Sequence, residues 1–113
     1  MNAEKDAVWA FADHAASLKY EDIPADAIKA GKTFLLDSMG VGVVGSAAPW
    51  VDELWSSQAA FGVDTARGSA RVLASGRKLA LPSAALANAF QIHNSEFDCV
   101  HEPAVVHPMA VLL

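Results

Sequence analysis

Three of the chain's four histidines, His93, His101 and His107, fall in the single stretch from Asn88 to Pro108, NAFQIHNSEFDCVHEPAVVHP. Its only cysteine, Cys99, and the carboxylates Glu96, Asp98 and Glu102 lie there too. Imidazoles and carboxylates gathered this closely are the materials of general acid–base catalysis, in which positioned side chains move protons to and from a substrate. Clustering of titratable groups is itself a mark of functional sites. His107 is the leading candidate, followed by Asp98. Each residue also has a structural reading. His93 fits a core histidine satisfied by a backbone carbonyl, His101 an exposed loop residue, and Glu96 and Asp98 helix caps. Cys99 reads as packing, because no strand-to-helix elbow surrounds it. A metal set of His93, Asp98, His101 and His107 can be drawn, but the histidine spacings match no structural zinc pattern. The chain has no dinucleotide-binding glycine motif, no phosphate-binding loop and no GxSxG nucleophile motif.

Local signals place these groups. Pro82 opens a helix through Ala84, Ala85, Leu86, Ala89, Phe90 and Ile92, and this helix delivers His93. Glu96 follows three positions on, so both share a face if the helix continues. Asp98 to Val106, with Pro103, reads as a loop. Pro108 suits the first position of the next helix and puts His107 at its cap. Unpaired N–H groups there would receive a carboxylate ligand.

The elements that must position this stretch precede it. Asn2 can cap a first helix with Glu4 and Asp6 in its opening turn, and Val8, Phe11, Ala15 and Leu18 form its apolar stripe. His14, beside Asp13, reads as a surface histidine. After the break Tyr20-Glu21-Asp22-Ile23-Pro24, a second helix spans about Ala25 to Val44. Its later turns, Phe34, Leu35, Leu36, Met39, Val41, Val43 and Val44, are apolar all round, which predicts burial on every side. Gly40, Gly42 and Gly45 predict close approach of another helix. Asp37 in that run reads as a carboxylate hydrogen-bonded to Ser38 or to a helix end. Trp50, Leu54 and Trp55 mark the core stripe of a third helix ending at Gly62, with a loop over Val63 to Arg67. Ala70 to Leu73 and Lys78 to Ala80, around Ser75-Gly76, predict a short β-hairpin with Arg71 and Arg77 as edge charges. The fold class is all-α: a helical array with one short hairpin near 70–80.

Composition narrows the function classes. The chain is 53% hydrophobic and 19% charged over 113 residues, apolar for its size, so further sequence or a partner is expected to cover it. It ends on the apolar run Met109 to Leu113 without a helix stop, which reads as the N-terminal piece of a longer protein. A net charge of −5 gives no basic face for phosphates and excludes nucleic acid as partner. The part from Arg67 onward carries four bases against three acids, weakly favouring an anionic ligand. One cysteine, no leader-like opening and no membrane-length apolar run give a cytoplasmic reading, with no membrane partner.

The order of these motifs resembles the MmgE/PrpD family. Tyr20-Glu-Asp-Ile-Pro24, Leu35-Leu36-Asp37-Ser38-Met39-Gly40, Val72-Leu-Ala-Ser-Gly76-Arg77 and Ala84-Ala85-Leu86-Ala87-Asn88 are similar to that family's lead-in. The stretch Asn88 to Asp98, then His101 and His107-Pro108, resembles its signature. The resemblance makes residues 1–113 the N-terminal part of a larger helical domain, in a homodimer whose smaller lid domain lies elsewhere in the chain. Members include 2-methylcitrate dehydratase, cis-aconitate decarboxylase and iminodisuccinate epimerase, which use no obligatory metal or organic cofactor. It implies a small di- or tricarboxylate substrate and proton transfer beside a carboxylate. In this reading His107, Asp98 and Glu96 are catalytic, His93 and His101 bind substrate, and no metal or other cofactor takes part. Glu96 stands where the family commonly has an Asp, while Cys99 and Val100 replace an Asp and a Thr, removing one charge and one hydroxyl. The expected activity is a 2-methylcitrate dehydratase-like lyase of propionate metabolism, with the lysine and further histidines of the site beyond Leu113 and the 113-residue piece alone inactive. The alternatives are an epimerase of an amino-dicarboxylate, a cis-aconitate-type decarboxylase, and, from another class, a non-catalytic helical assembly module.

Overall fold

Asp6 opens the first helix, α1 (Ala7–Ser17), and its side chain accepts a hydrogen bond from the Val8 N–H at 3.1 Å. The structure, a computed structural model, describes residues 6–60 and 70–113. Asn2, Glu4, the Phe61-Gly62 end of the third helix and the Val63–Arg67 loop lie outside the described residues. Asp6 therefore caps α1 instead of occupying its first turn, because a short acceptor is most useful where the first N–H groups lack partners. Val8, Phe11 and Leu18 are exposed, as is His14, and α1 buries none of its residues. The Tyr20–Asp22 break is one turn of 3₁₀ helix. α2 (Ala25–Gly45) follows, with the Pro24 carbonyl accepting from the Ile28 N–H at 3.0 Å. Pro24 thus sits at the cap, one place earlier than expected, where its missing N–H is still harmless.

The chain forms two compact units, residues 1–32 and 33–113, and α2 runs from the first into the second. In the second unit the buried positions of α2 are Ser38, Gly42 and Gly45. Leu36 and Val44 are about three-quarters exposed, at 74% and 73%. The expectation of burial on every side is therefore wrong, whereas the close approach holds at Gly42 and Gly45 but not at Gly40, which has nothing within 4 Å of an added methyl. The small face of α2 meets the fourth helix: a methyl added at Gly42 would stand 3.0 Å from Ile92, and one at Gly45 would collide with the Gln91 carbonyl. Backbones this near leave room only for small residues, so the large side chains are turned to the other face. The Ser38 hydroxyl is buried without a partner, so it does not bond Asp37, which is exposed.

The third helix, α3 (Val51–Ala60), follows Trp50, whose carbonyl accepts from the Leu54 N–H at 2.9 Å. Trp50 has φ 70° and is 66% exposed, so it leaves the expected core stripe. Leu54 and Trp55 do pack on the core, which consists of Val72, Leu79, Ala84 and Ala87. Strands β1 (Ala70–Arg71) and β2 (Lys78–Leu79) pair antiparallel, Ala70 with Leu79 and Arg71 with Lys78. The turn between them uses left-handed backbone at Ala74 and Gly76. Arg77 is no plain edge charge, because its guanidinium lies 4.7 Å from the centre of the Trp55 ring, a cation–π contact.

The helix α4 (Leu81–His93) is the hub, touching α3, both strands and the last helix, α5 (Pro108–Leu112). Asn88 ties it to the hairpin: its Oδ1 accepts from the Leu73 N–H at 2.9 Å and its Nδ2 donates to the Arg71 carbonyl at 3.2 Å. Asn88→Ala would leave both backbone groups unpaired and is expected to cost about 1–3 kcal/mol. Denaturant unfolding of Asn88→Ala beside Asn88→Asp, which keeps only the acceptor, measures the two bonds separately. Among the described residues no helix is long and apolar enough to cross a membrane.

Candidate active site

His93 ends α4, and the chain leaves it through a turn that continues no helix. Asn94 closes the helix end, donating from Nδ2 to the Pro49 carbonyl at 2.6 Å. Sequence reasoning gave Asn94 no role, although Asn at a helix terminus is a recognised stop signal. Glu96 then takes φ 51°, in the left-handed region, and is exposed. The expected shared face of His93 and Glu96 does not form, because the helix stops at His93. The reversal instead brings Asp98 back beneath the helix end. The Asp98 side chain is fully buried, with Oδ1 3.2 Å from His93 Nδ1.

The loop then braces itself. His101 and Val106 form an isolated antiparallel bridge, with the His101 N–H donating to the Val106 carbonyl at 2.9 Å. Inside it, Glu102–Ala104 is a 3₁₀ turn whose Ala104 N–H donates to His101 Nδ1 at 3.2 Å. Val105 completes the reversal with φ 51°, an uncommon conformation for a β-branched residue. His107 caps α5 and Pro108 takes its first position, as the His-Pro pair predicts.

His107 thereby meets the same carboxylate. Its Nδ1 lies 3.2 Å from Asp98 Oδ1, and its ring stands edge-to-face on His93, centroids 4.4 Å apart at 62°. Only His93 is aligned for a hydrogen bond with Asp98. His107 Nδ1 and Asp98 Oδ2 are both buried and lack hydrogen-bond partners. His93 and His107 remain part-exposed, with side chains at 45% and 31%.

Of the five residues singled out by sequence, the structure therefore gathers three: His93, Asp98 and His107. Glu96 and His101 are exposed and stand outside that contact, and the His101 ring is engaged by its own turn. Cys99 is part-buried with a free thiol. One donor atom from each of the three gathered residues lies within 4.8 Å of the others, close enough to hold a cation. The separation of 3.2 Å from each Nδ1 to one oxygen also fits direct imidazole–carboxylate contact, which holds a ring's tautomer and orientation in acid–base sites. Leu36, Asp37, Gly40, Val41, Val44, Ser95 and Phe97 line an open, largely apolar groove of about 600 Å³, and none of the three gathered residues is among them.

Comparison with known proteins bears on what this arrangement serves. Residues 10–113 match the profile of the MmgE/PrpD N-terminal domain. The chain is similar to the cis-aconitate decarboxylase-like protein oryM of Aspergillus oryzae, 38% identical over 98 residues, covering 85% of this chain and 19% of that protein. It is 30% identical over 99 residues to cis-aconitate decarboxylase of Aspergillus terreus, covering 88% of this chain and 20% of the relative. It thus spans about a fifth of the length of these relatives. No solved structure matches it significantly. With the profile running over nearly every residue from the middle of α1 to Leu113, the chain belongs to the MmgE/PrpD family.

Proposed function

We propose that these residues form one wall of the active site of a lyase that acts on small tricarboxylic acids by side-chain proton transfer, as part of a homodimeric protein. The observation that carries this reading is the buried Asp98 carboxylate facing two part-exposed imidazoles. His107 is the acid–base residue. Asp98 is the positioning residue that orients it, as buried carboxylates orient catalytic imidazoles elsewhere. Decarboxylation of an unsaturated tricarboxylate requires a proton delivered to carbon as carbon dioxide leaves. Dehydration requires a base for the proton beside the carboxylate and an acid for the departing hydroxyl. Imidazole can perform either role. Similarity to proteins named cis-aconitate decarboxylase favours the first outcome over the 2-methylcitrate dehydration read from sequence.

The test is to incubate the full-length protein with cis-aconitate, 2-methylcitrate and citrate, following carbon dioxide and the organic products. Conversion of cis-aconitate with loss of carbon dioxide is expected. Conversion of 2-methylcitrate alone would return the assignment to dehydration, and inertness towards all three would end the lyase reading. The rate is expected to be unchanged after exhaustive chelation. A rate lost to chelator and restored by a divalent cation would instead make His93, Asp98 and His107 a metal site.

A further inference from the structure

An ionised carboxylate can only accept hydrogen bonds, so an imidazole nitrogen that bonds it must carry the proton. With an ionised Asp98, the contact between His93 Nδ1 and Asp98 Oδ1 would therefore place the His93 proton on Nδ1 and leave Nε2 as the free nitrogen. His107 approaches the same carboxylate through its own Nδ1, at the same 3.2 Å but out of line. Beside it, Asp98 Oδ2 is buried without a partner. An unpaired donor and an unpaired acceptor, both buried, thus belong to one imidazole–carboxylate pair. Such orphans are rare in folded proteins. A rotation that kept Oδ1 on His93 and turned Oδ2 to His107 would satisfy both groups. Catalytic hydrogen bonds are often loose before substrate binds and tighten with it.

The geometry points to His93 as a second proton-carrying residue of the proposed site, paired with His107 across Asp98, each ring protonated at Nδ1 and offering Nε2 to the substrate. This revises the substrate-binding role expected for His93 from sequence. It rests on the lyase reading for the reaction but not for the tautomers. Two imidazoles on one buried carboxylate give the site two places at which a proton can be given or taken. A single ring would have to serve the reacting carbon and the substrate's carboxyl or leaving group in turn.

The experiment uses full-length protein labelled with ¹⁵N-histidine. Nitrogen–proton correlation spectra are recorded where the rings are neutral and assigned with His93→Asn and His107→Asn. Both histidines are expected to show a protonated Nδ1 and a bare Nε2. In Asp98→Ala at least one should revert to the Nε2-protonated form common in free histidine. A wild-type His93 protonated on Nε2 overturns the pair, whatever the activity. Propane-1,2,3-tricarboxylate, an unreactive probe, should move both Nε2 signals, and movement of His107 alone counts against His93. In the activity arm, the amide nitrogen introduced by His93→Asn stands near the place of Nδ1 and keeps a donor for Asp98, but nothing replaces Nε2. His93→Asn is therefore expected to lower kcat by about 10²–10⁴-fold with unchanged melting. Retention of activity within about tenfold would make His93 a positioning residue only. Tautomers as expected in a protein that turns over none of the tricarboxylates would remove the reaction and leave the pair standing.

Discussion

Replacing Gly45 by alanine is expected to remove about 3–5 kcal/mol of folding stability, a large part of the ~5–15 kcal/mol typical of a domain. The added methyl would fall on the backbone carbonyl of Gln91, within α4. A flexible side chain could swing away from such a collision. A backbone carbonyl in the last turn of a helix cannot do so without moving that turn, and ordinary overpacking already costs about 1–3 kcal/mol. Gly40→Ala is the control, since nothing lies within 4 Å of the methyl it would add. There the gain in helix propensity should stabilise by about 0.5–1 kcal/mol. Urea unfolding of both variants in the full-length protein reads the difference directly. Equal midpoints would mean that α2 and α4 are not held as closely as the structure has them.

His107→Asn is the second large effect, and it falls on turnover. The substitution removes the outward ring nitrogen while leaving a side-chain donor on the Asp98 side. A loss of about 10²–10⁴ in kcat is expected, the usual contribution of a positioned acid–base group. His107 is about one-third exposed, so melting should shift little. His107→Ala separates the two duties of the residue. It also removes one of the two imidazoles that contact the buried Asp98 carboxylate and opens a space beside His93, and should lose some stability as well as rate. If His107→Asn keeps wild-type kcat, the acid–base assignment to His107 fails. The role would then fall to His93 or to groups outside this stretch.

Much of this could be read from the sequence because the signals were local. Pro24, Pro82 and Pro108 each mark a helix start to within a residue, and His107-Pro108 gave the cap that brings the imidazole into place. The hairpin was legible in Ser75-Gly76 between two short apolar pieces. What escaped depended on contacts distant in sequence or on unusual backbone. Hydrophobicity alone made α2 look buried on its large residues, whereas glycine-sized spacing against α4 put Ser38, Gly42 and Gly45 inside. Trp50 looked like core but occupies a left-handed position before α3. Nothing in the residue type of Glu96 announces a positive φ, yet that turn carries Asp98 back to His93 and leaves Glu96 itself outside. The three-residue spacing suggested the partnership of His93 with Glu96, and the end of the helix transferred it to Asp98.

The bracing of the His101–Val106 loop has an evolutionary consequence. The bridge and the turn inside it are made largely by backbone groups, with one side-chain contribution from His101. Glu102, Ala104 and Val105 are exposed at its rim. Their side chains can change size or charge while the loop keeps its path and returns His107 to Asp98. Mutation can therefore explore the rim without dismantling the imidazole pair. Under the proposed lyase reading, substrate preference would then drift at the rim while the groups assigned to proton transfer are inherited intact.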